Sequence, residues 1–381
     1  MDQKSSRRIR MVAGESNTAR NGLLCQYQFE DGSSQFVFLH IGDKSGAVDI
    51  DRSLSFCTEN YVQVISSCKG FLLLASIGEL ELKYHVFNPM SRQVFTLPQP
   101  AITRRIIRCG LAIDGLHYQV VLVHLADIEV AFDGLEMEIY SSQTGKWRRF
   151  HPKNLLPIPV PDFEFPELQT PPLFSNGAIH WEISGYLLVY QVEDDHCDLI
   201  ELPNFLEDWS WQSTMTYKRC LSEFQGRVHY TYTDFEGVHS WILLNEQDHD
   251  YYSLYNIYDR KKFRWALADS VNHQDLNFKH QEIYSHRGQW HMEPYDASPL
   301  SFSEDSETMY LQLPGFLVSY NTRTKVLEEF CTYIFPGVNF NCCMFLPFTY
   351  GRQIQAETES ESLEVGAVHL PIKDKLDTLA F

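Results

Sequence analysis

The sequence predicts an all-β chain folded as a β-propeller, and three features carry that reading. A strand–turn–strand unit returns along the chain, a turn glycine leading into an apolar strand precedes most copies, and no helical period interrupts them. The first unit, Val86-Phe87-Asn88-Pro89-Met90-Ser91-Arg92-Gln93-Val94-Phe95-Thr96-Leu97-Pro98, is a strand, a turn built on Asn-Pro, and a second strand closed by proline. Glu138 to Phe150, Leu188 to Pro203, Asn256 to Leu267 and Val318 to Leu327 repeat it. Each is a hairpin by composition: an apolar run, Asn, Asp, Ser or Gly turn chemistry, then another run.

The glycine-led strands are Lys69-Gly70-Phe71-Leu72-Leu73-Leu74, Asn176-Gly177-Ala178-Ile179-His180-Trp181 and Gln225-Gly226-Arg227-Val228-His229-Tyr230, with Asn21-Gly22-Leu23-Leu24 as a degenerate first copy. Nearly continuous apolar sequence after the glycine is what a strand buried on both faces requires. Each unit is therefore about four strands: an edge, a glycine-led inner strand and an outer hairpin. The turns near Asn88, Ser142, Glu193, Asp259 and Asn321 recur at roughly fifty to sixty-five residues, the spacing of propeller blades. A pair of β-sandwiches is the competing architecture, but it does not explain five copies of one strand order.

Five units lie between Val62 and Tyr333, and the late strand Asn339 to Pro347 can close a sixth with early strands near Phe36 to Leu39. Six blades is the expectation, with seven or eight left open by the longer unit between Thr214 and Asp296. Closure of the ring by both ends of the chain removes exposed edges. The expected organisation is a polar N-terminus over 1–20, the propeller over 21–350, and an acidic, disordered tail over 351–381. The proline-rich run Leu155 to Pro172 reads as an inter-blade loop.

Composition supports a large packed core: 381 residues, 44% hydrophobic and 14% aromatic, with 25 Phe, 20 Tyr and 7 Trp. Flat and β-branched side chains suit a pleated, half-buried surface. A net charge of −19 argues against general affinity for nucleic acid or anionic membrane, both bound mainly through Lys and Arg. A local basic patch around Arg104, Arg105 and Arg108 stays open. The nine cysteines are odd in number and never spaced Cys-x-x-Cys, as expected of reduced core thiols in the cytoplasm or nucleus.

The order Ser67-Cys68-Lys69-Gly70-Phe71-Leu72-Leu73-Leu74, Phe87-Asn88-Pro89-Met90-Ser91-Arg92 and Leu97-Pro98 resembles the plant F-box-associated domain. Ile139-Tyr140-Ser141-Ser142-Gln143-Thr144-Gly145-Lys146-Trp147 and Asn176-Gly177-Ala178-Ile179-His180-Trp181 extend the resemblance, which runs from about Val62 to Tyr350. It implies a propeller-like substrate-recognition module of a cullin-type ubiquitin ligase, joined by an F-box to a Skp1-like adaptor. Residues 1–60 depart from that pattern: no F-box-like helical run occurs there, and Gly22 to Ile41 already reads as strand.

Catalytic signals are thin. Gly-x-Ser-x-Gly, phosphate-binding Gly-x-x-x-x-Gly-Lys and His-Glu-x-x-His are all absent from the sequence. His180 and Glu182 share one face of a strand and offer an acid–base or metal pair. The matching position of His229 in the next repeat, and the flanking Trp181, favour blade packing instead. His273, His280, His286 and His291 have irregular gaps and read as a solvated loop. Arg92, Arg148, Arg149, Arg260 and Arg323 fall at or after the turns and read as a soluble outer rim, and Glu193-Asp194-Asp195 as a solvated turn.

No catalytic residue, cofactor or metal is expected. The expectation is a non-catalytic module that binds a protein target at the central mouth, where loops from several blades converge. The candidate contacts are Phe163 and Phe165 in one loop and Phe205, Trp209 and Trp211 in another, with packing against the inter-blade core as the competing role for these aromatics. A lectin-like or other small-ligand propeller is the second reading, a propeller hydrolase the third.

Overall fold

A computed structural model of the chain describes residues 11–13, 20–29, 33–41, 48–58, 62–77, 82–101, 106–115, 117–125, 135–152, 170–183, 185–203, 218–234, 236–245, 263–273, 297–302, 308–313, 316–331, 343–350, 354–356 and 372–373. These residues form six antiparallel blades arranged in a ring, with the first strand of each blade innermost. Blade 2 is Val62–Cys68, Phe71–Ile77, Leu82–Asn88 and Gln93–Thr96; blade 3 is Ile106–Asp114, His117–Leu125, Leu135–Ser141 and Lys146–Phe150. Blade 4 is Leu173–Ser175, Ala178–Ile183, Tyr186–Gln191 and His196–Glu201; blade 5 is Arg219–Phe224, Arg227–Thr233, Gly237–Asn245 and Phe263–Asn272. Blade 6 is Ser298–Phe302, Thr308–Leu313, Phe316–Asn321 and Val326–Cys331.

Blade 1 closes the ring. Its innermost strand, Cys343–Tyr350, comes from the end of the chain and pairs with Arg20–Gln28, followed outward by Ser34–Ile41 and Val48–Thr58. The expected closure is therefore present, with Arg20–Gln28 as the direct partner of the late strand and Ser34–Ile41 one place further out. Within the segment expected to be a disordered tail, Ile354–Ala356 pairs with Met11–Ala13, and Ile372–Lys373 adds to the outer edge of blade 1.

Four of the five sequence hairpins are the outer strand pairs of blades 2, 3, 4 and 6. The fifth differs. In blade 5 the third strand is Gly237–Asn245, paired with Phe263–Asn272. Asn256 to Asp259, which carry the same composition, lie outside the described residues, as does Arg260. The Asn21-Gly22 copy also differs: both residues sit inside a strand, paired with Thr349 and Phe348, and form no turn.

Six hydrophobic clusters fill the gaps between adjacent blades, one per gap. The second strand of blade 2 shows why its sequence is continuously apolar. Leu72 and Leu74 point into the cluster shared with blade 1, while Phe71, Leu73 and Ala75 point into the one shared with blade 3. Side chains alternate across a strand, so a blade packed on both faces needs apolar residues at every position. Trp147 Nε1 donates to Pro98 O at 2.7 Å and Trp265 Nε1 to Glu201 O at 2.9 Å, each tying an outer strand to the preceding blade.

The turns explain the sequence repeat. Lys69-Gly70, Asn176-Gly177 and Gln225-Gly226 each have both residues at positive φ, as in the primed two-residue turns that match strand twist. The four described outer hairpins, in blades 2, 3, 4 and 6, each carry a positive-φ residue just before the last strand: Arg92 (56°), Gly145 (67°), Asp195 (51°) and Lys325 (59°). Asn88 Oδ1 accepts from the Met90 amide at 3.0 Å, and Asn321 Oδ1 from the Thr324 amide at 2.7 Å, holding the turn from within. Only Gly145 among the four escapes the Cβ penalty, and a Cβ built there meets nothing within 4 Å. Gly145→Ala is thus expected to destabilise by about 1 kcal/mol and Arg92→Gly to stabilise by a similar amount. Urea midpoints of the two variants check both signs.

Candidate functional site

Antiparallel order puts two turns of every blade on one face: the turn after the innermost strand and the turn of the outer hairpin. These turns surround a cavity of about 880 Å³ at the mouth of the central channel. All six blades contribute to its wall, including Ser67 and Lys69 from blade 2, Asp114 and Gln119 from blade 3, Ser175 and Glu193 from blade 4, and Ser222 and Glu223 from blade 5. Blade 6 adds Ser301 and Phe302, and blade 1 adds Pro347 and Phe348.

Several polar groups in this wall are committed. Ser67 Oγ donates to Pro347 O at 2.5 Å, tying blade 2 to the closing strand. Lys69 Nζ donates to Ile113 O at 3.0 Å and lies 5.5 Å from the centroid of the Phe174 ring. Other groups are not committed: Ser175 Oγ, Ser222 Oγ, Gln119 Oε1 and His117 Nδ1 have no hydrogen-bond partner among the described residues. Ser175 and Ser222 are 2% and 1% exposed, so their unpartnered hydroxyls are buried within residues that line the cavity. Hydrogen-bonding atoms buried this way cost stability unless something fills them.

Sequence reasoning missed these residues because each blade supplies only one or two. A signal does exist: a serine lies in the innermost strand two to four residues before the turn glycine, in Ser67-Cys68-Lys69-Gly70, Ser175-Asn176-Gly177 and Ser222-Glu223-Phe224-Gln225-Gly226. The aromatic residues named from sequence, Phe163, Phe165, Phe205, Trp209 and Trp211, lie outside the described residues. Of the strand ends flanking their segments, Leu173 lines this cavity, whereas Phe150, Glu201 and Arg219 pair at the other end of their blades.

His180 and Glu182 form no catalytic pair. His180 is buried and its Nδ1 donates to Leu173 O at 3.3 Å; burial pushes its pKa down to about 4. Glu182 accepts from Thr170 Oγ1 at 2.7 Å and pairs with Arg219, while Arg108 Nε donates to the Glu182 carbonyl at 2.7 Å. Blades 3, 4 and 5 are thereby stitched together. Arg108 is buried in this stitch and belongs to no surface basic patch; Arg104 and Arg105 lie outside the described residues.

Two other expectations need correction. His273 is buried, with Nε2 donating to Asp234 O at 2.7 Å, so it belongs to no solvated loop; the other three histidines of that set lie outside the described residues. Asp195 is no free turn carboxylate either, since it accepts from Tyr190 and from Arg148 of the neighbouring blade. Among the described residues, no group of three or more His, Cys, Asp or Glu could hold a metal ion. Burial pushes the thiols of Cys68, Cys109, Cys197 and Cys220 up to about 12, which keeps them protonated and inert.

The described residues thus define a six-bladed β-propeller with a polar mouth. Residues 43–262 match the family described as F-box protein At3g26010-like, beta-propeller, and the chain belongs to that family. The F-box-associated resemblance read from the sequence is thus established. The chain is 23% identical over 324 residues to F-box protein At5g07610 of Arabidopsis thaliana, covering 78% of this chain and 71% of that one. It is 28% identical over 193 residues to F-box protein At5g49610 of the same plant, covering 45% of this chain and about half, 51%, of that one. Among solved structures, apo AztD from Citrobacter koseri is similar over 87% of this chain and 99% of its own, at 9% identity and a TM-score of 0.42, too distant to bear on function.

Proposed function

We propose that this chain is the non-catalytic substrate-recognition propeller of an SCF-type ubiquitin ligase, and that it captures a protein target at the cavity mouth. The observation that carries the reading is the cavity itself: six blades converge on about 880 Å³ whose wall holds hydrogen-bonding atoms without partners. Membership of an F-box protein family supports the ligase context, and a Skp1-like adaptor, a cullin and a cytoplasmic or nuclear location are further parts of the proposal. Residues 20–28, 34–41 and 48–58 are blade strands rather than F-box helices, so adaptor binding is a separate part of the proposal with its own readout below.

The test is affinity purification of the tagged protein from plant cells, beside a Glu223→Trp variant that fills the mouth. The expected result is a target, adaptor and cullin with the parent protein, and adaptor and cullin without target for the variant at an unchanged melting temperature. A target recovered without adaptor or cullin would remove the ligase half of the proposal. Target capture that survives Glu223→Trp but is lost in the double variant Trp209→Ala and Trp211→Ala would move recognition to the segment that carries those two tryptophans.

A further inference from the structure

The charge and donor balance of the mouth says what kind of group it takes. Three carboxylates line it, Asp114, Glu193 and Glu223, from three adjacent blades. Among the described residues, Lys69 is the only lysine or arginine in the wall, and its ammonium is already held by the Ile113 carbonyl and the Phe174 ring. Three of the four unpartnered atoms in the wall point the same way. Gln119 Oε1 can only accept, and the Ser175 and Ser222 hydroxyls can turn to accept. They come from blades 3, 4 and 5, the same blades that bring the carboxylates.

We infer that the mouth reads a cationic side chain, and that an arginine of the bound partner enters it. This rests on the proposed capture of a protein target. A guanidinium carries five N–H donors in one plane, so it can serve acceptors on several walls at once, where an ammonium serves a narrower set. Its flat face also stacks on aromatic rings, and the Phe174 ring already receives a cation in this fold. An anionic group would meet the carboxylates at close quarters, and a neutral glycan would leave them unused.

The probe is a blocked glycine pentapeptide with a central arginine, titrated calorimetrically into the whole chain beside its citrulline counterpart, which has the same shape without the charge. The arginine peptide is expected to bind about tenfold tighter than the citrulline peptide, through charge-assisted hydrogen bonds. Glu223→Gln should weaken it about two- to fivefold, and Lys69→Gln should strengthen it by a similar factor. Glu201→Gln, an exposed carboxylate at the far end of blade 4, should change nothing. Equal binding of the two peptides overturns the inference, as does no binding or an equal loss in Glu201→Gln, which would mark unspecific attraction to an acidic chain. If the probe fails while Glu223→Trp still abolishes target capture, the arginine is wrong and the recognition role stands. Probe binding without any captured target gives the reverse.

Discussion

Trp181→Ala is expected to cost ~3–5 kcal/mol, the range for emptying a fully buried aromatic site. Trp181 is completely buried in the cluster between blades 3 and 4, beside Ile107, Val121, Val123, Met137 and Ile179. Its indole N–H donates to Cys109 O at 2.8 Å, so truncation leaves a carbonyl of the neighbouring innermost strand without its donor. Gly110 shows how tightly the ring is held. A Cβ built there would lie 2.7 Å from the Trp181 Cζ2 atom and 2.8 Å from Ile179 Cγ2, closer than real atoms approach. Gly110→Ala is therefore expected to destabilise by about 1–3 kcal/mol through overpacking. The two residues are in contact, so their changes should not add. Trp181→Phe withdraws the ring atoms nearest Gly110, and the double variant Trp181→Phe with Gly110→Ala should lie well above the sum of the single losses. Chemical denaturation of the four proteins of that cycle checks this, and strict additivity would mean the two blades are not clamped at this point.

The clamp also shows where sequence reading succeeds. Ile179, Trp181 and Ile183 face blade 3, while Ala178, His180 and Glu182 face blade 5, and both faces are buried. That double burial, together with the turn that precedes it, is a local pattern and was legible. So was the outer hairpin, because its positive-φ residue and internal side-chain acceptor fall within six residues, as from Asn88 to Gln93 or Asn321 to Val326. Blade 5 defeated the pattern because residues 246–262 separate its outer strands, and the hairpin read from Asn256 to Leu267 joined part of that segment to the true last strand. The mouth was hidden for a different reason. Ser175 and Ser222 are 47 positions apart in the sequence and Gln119 is farther still, so only ring closure brings them to one wall. An acceptor is informative there only once it is known to lack a donor, and that is a property of the assembled ring.

Acid sensitivity should come from the blade 4 to blade 6 side of the ring. His180 and His229 are buried, and both have their pKa pushed from 6.5 down to about 4, by burial in each case and, for His229, secondarily by the Arg227 charge. His229 sits among the Phe224 and Phe302 rings, with centroids 5.6 and 5.0 Å away, and its Nε2 has no partner. The folded protein therefore keeps both rings neutral where the unfolded chain takes up a proton. The unfolded state binds more protons between the two pKa values, so stability rises with pH there. It is full above pH 6.5 and falls as the pH drops from 6.5 toward 4. A pKa unit is about 1.4 kcal/mol, so each histidine withdraws on the order of 3 kcal/mol across that window. Burial lowers His85 and His273 in the same direction and adds to the slope. Asp234 acts in a lower range: burial raises its pKa, but hydrogen bonds from His239 and the Gly237 and Glu236 amides outweigh that and hold it below 3.8. Its contribution is lost only in stronger acid. Thermal unfolding followed from pH 7.5 to pH 4 should show the loss, and the double variant His180→Asn with His229→Phe should flatten it, since neither replacement titrates. An unchanged slope in that variant would place the acid sensitivity elsewhere in the ring.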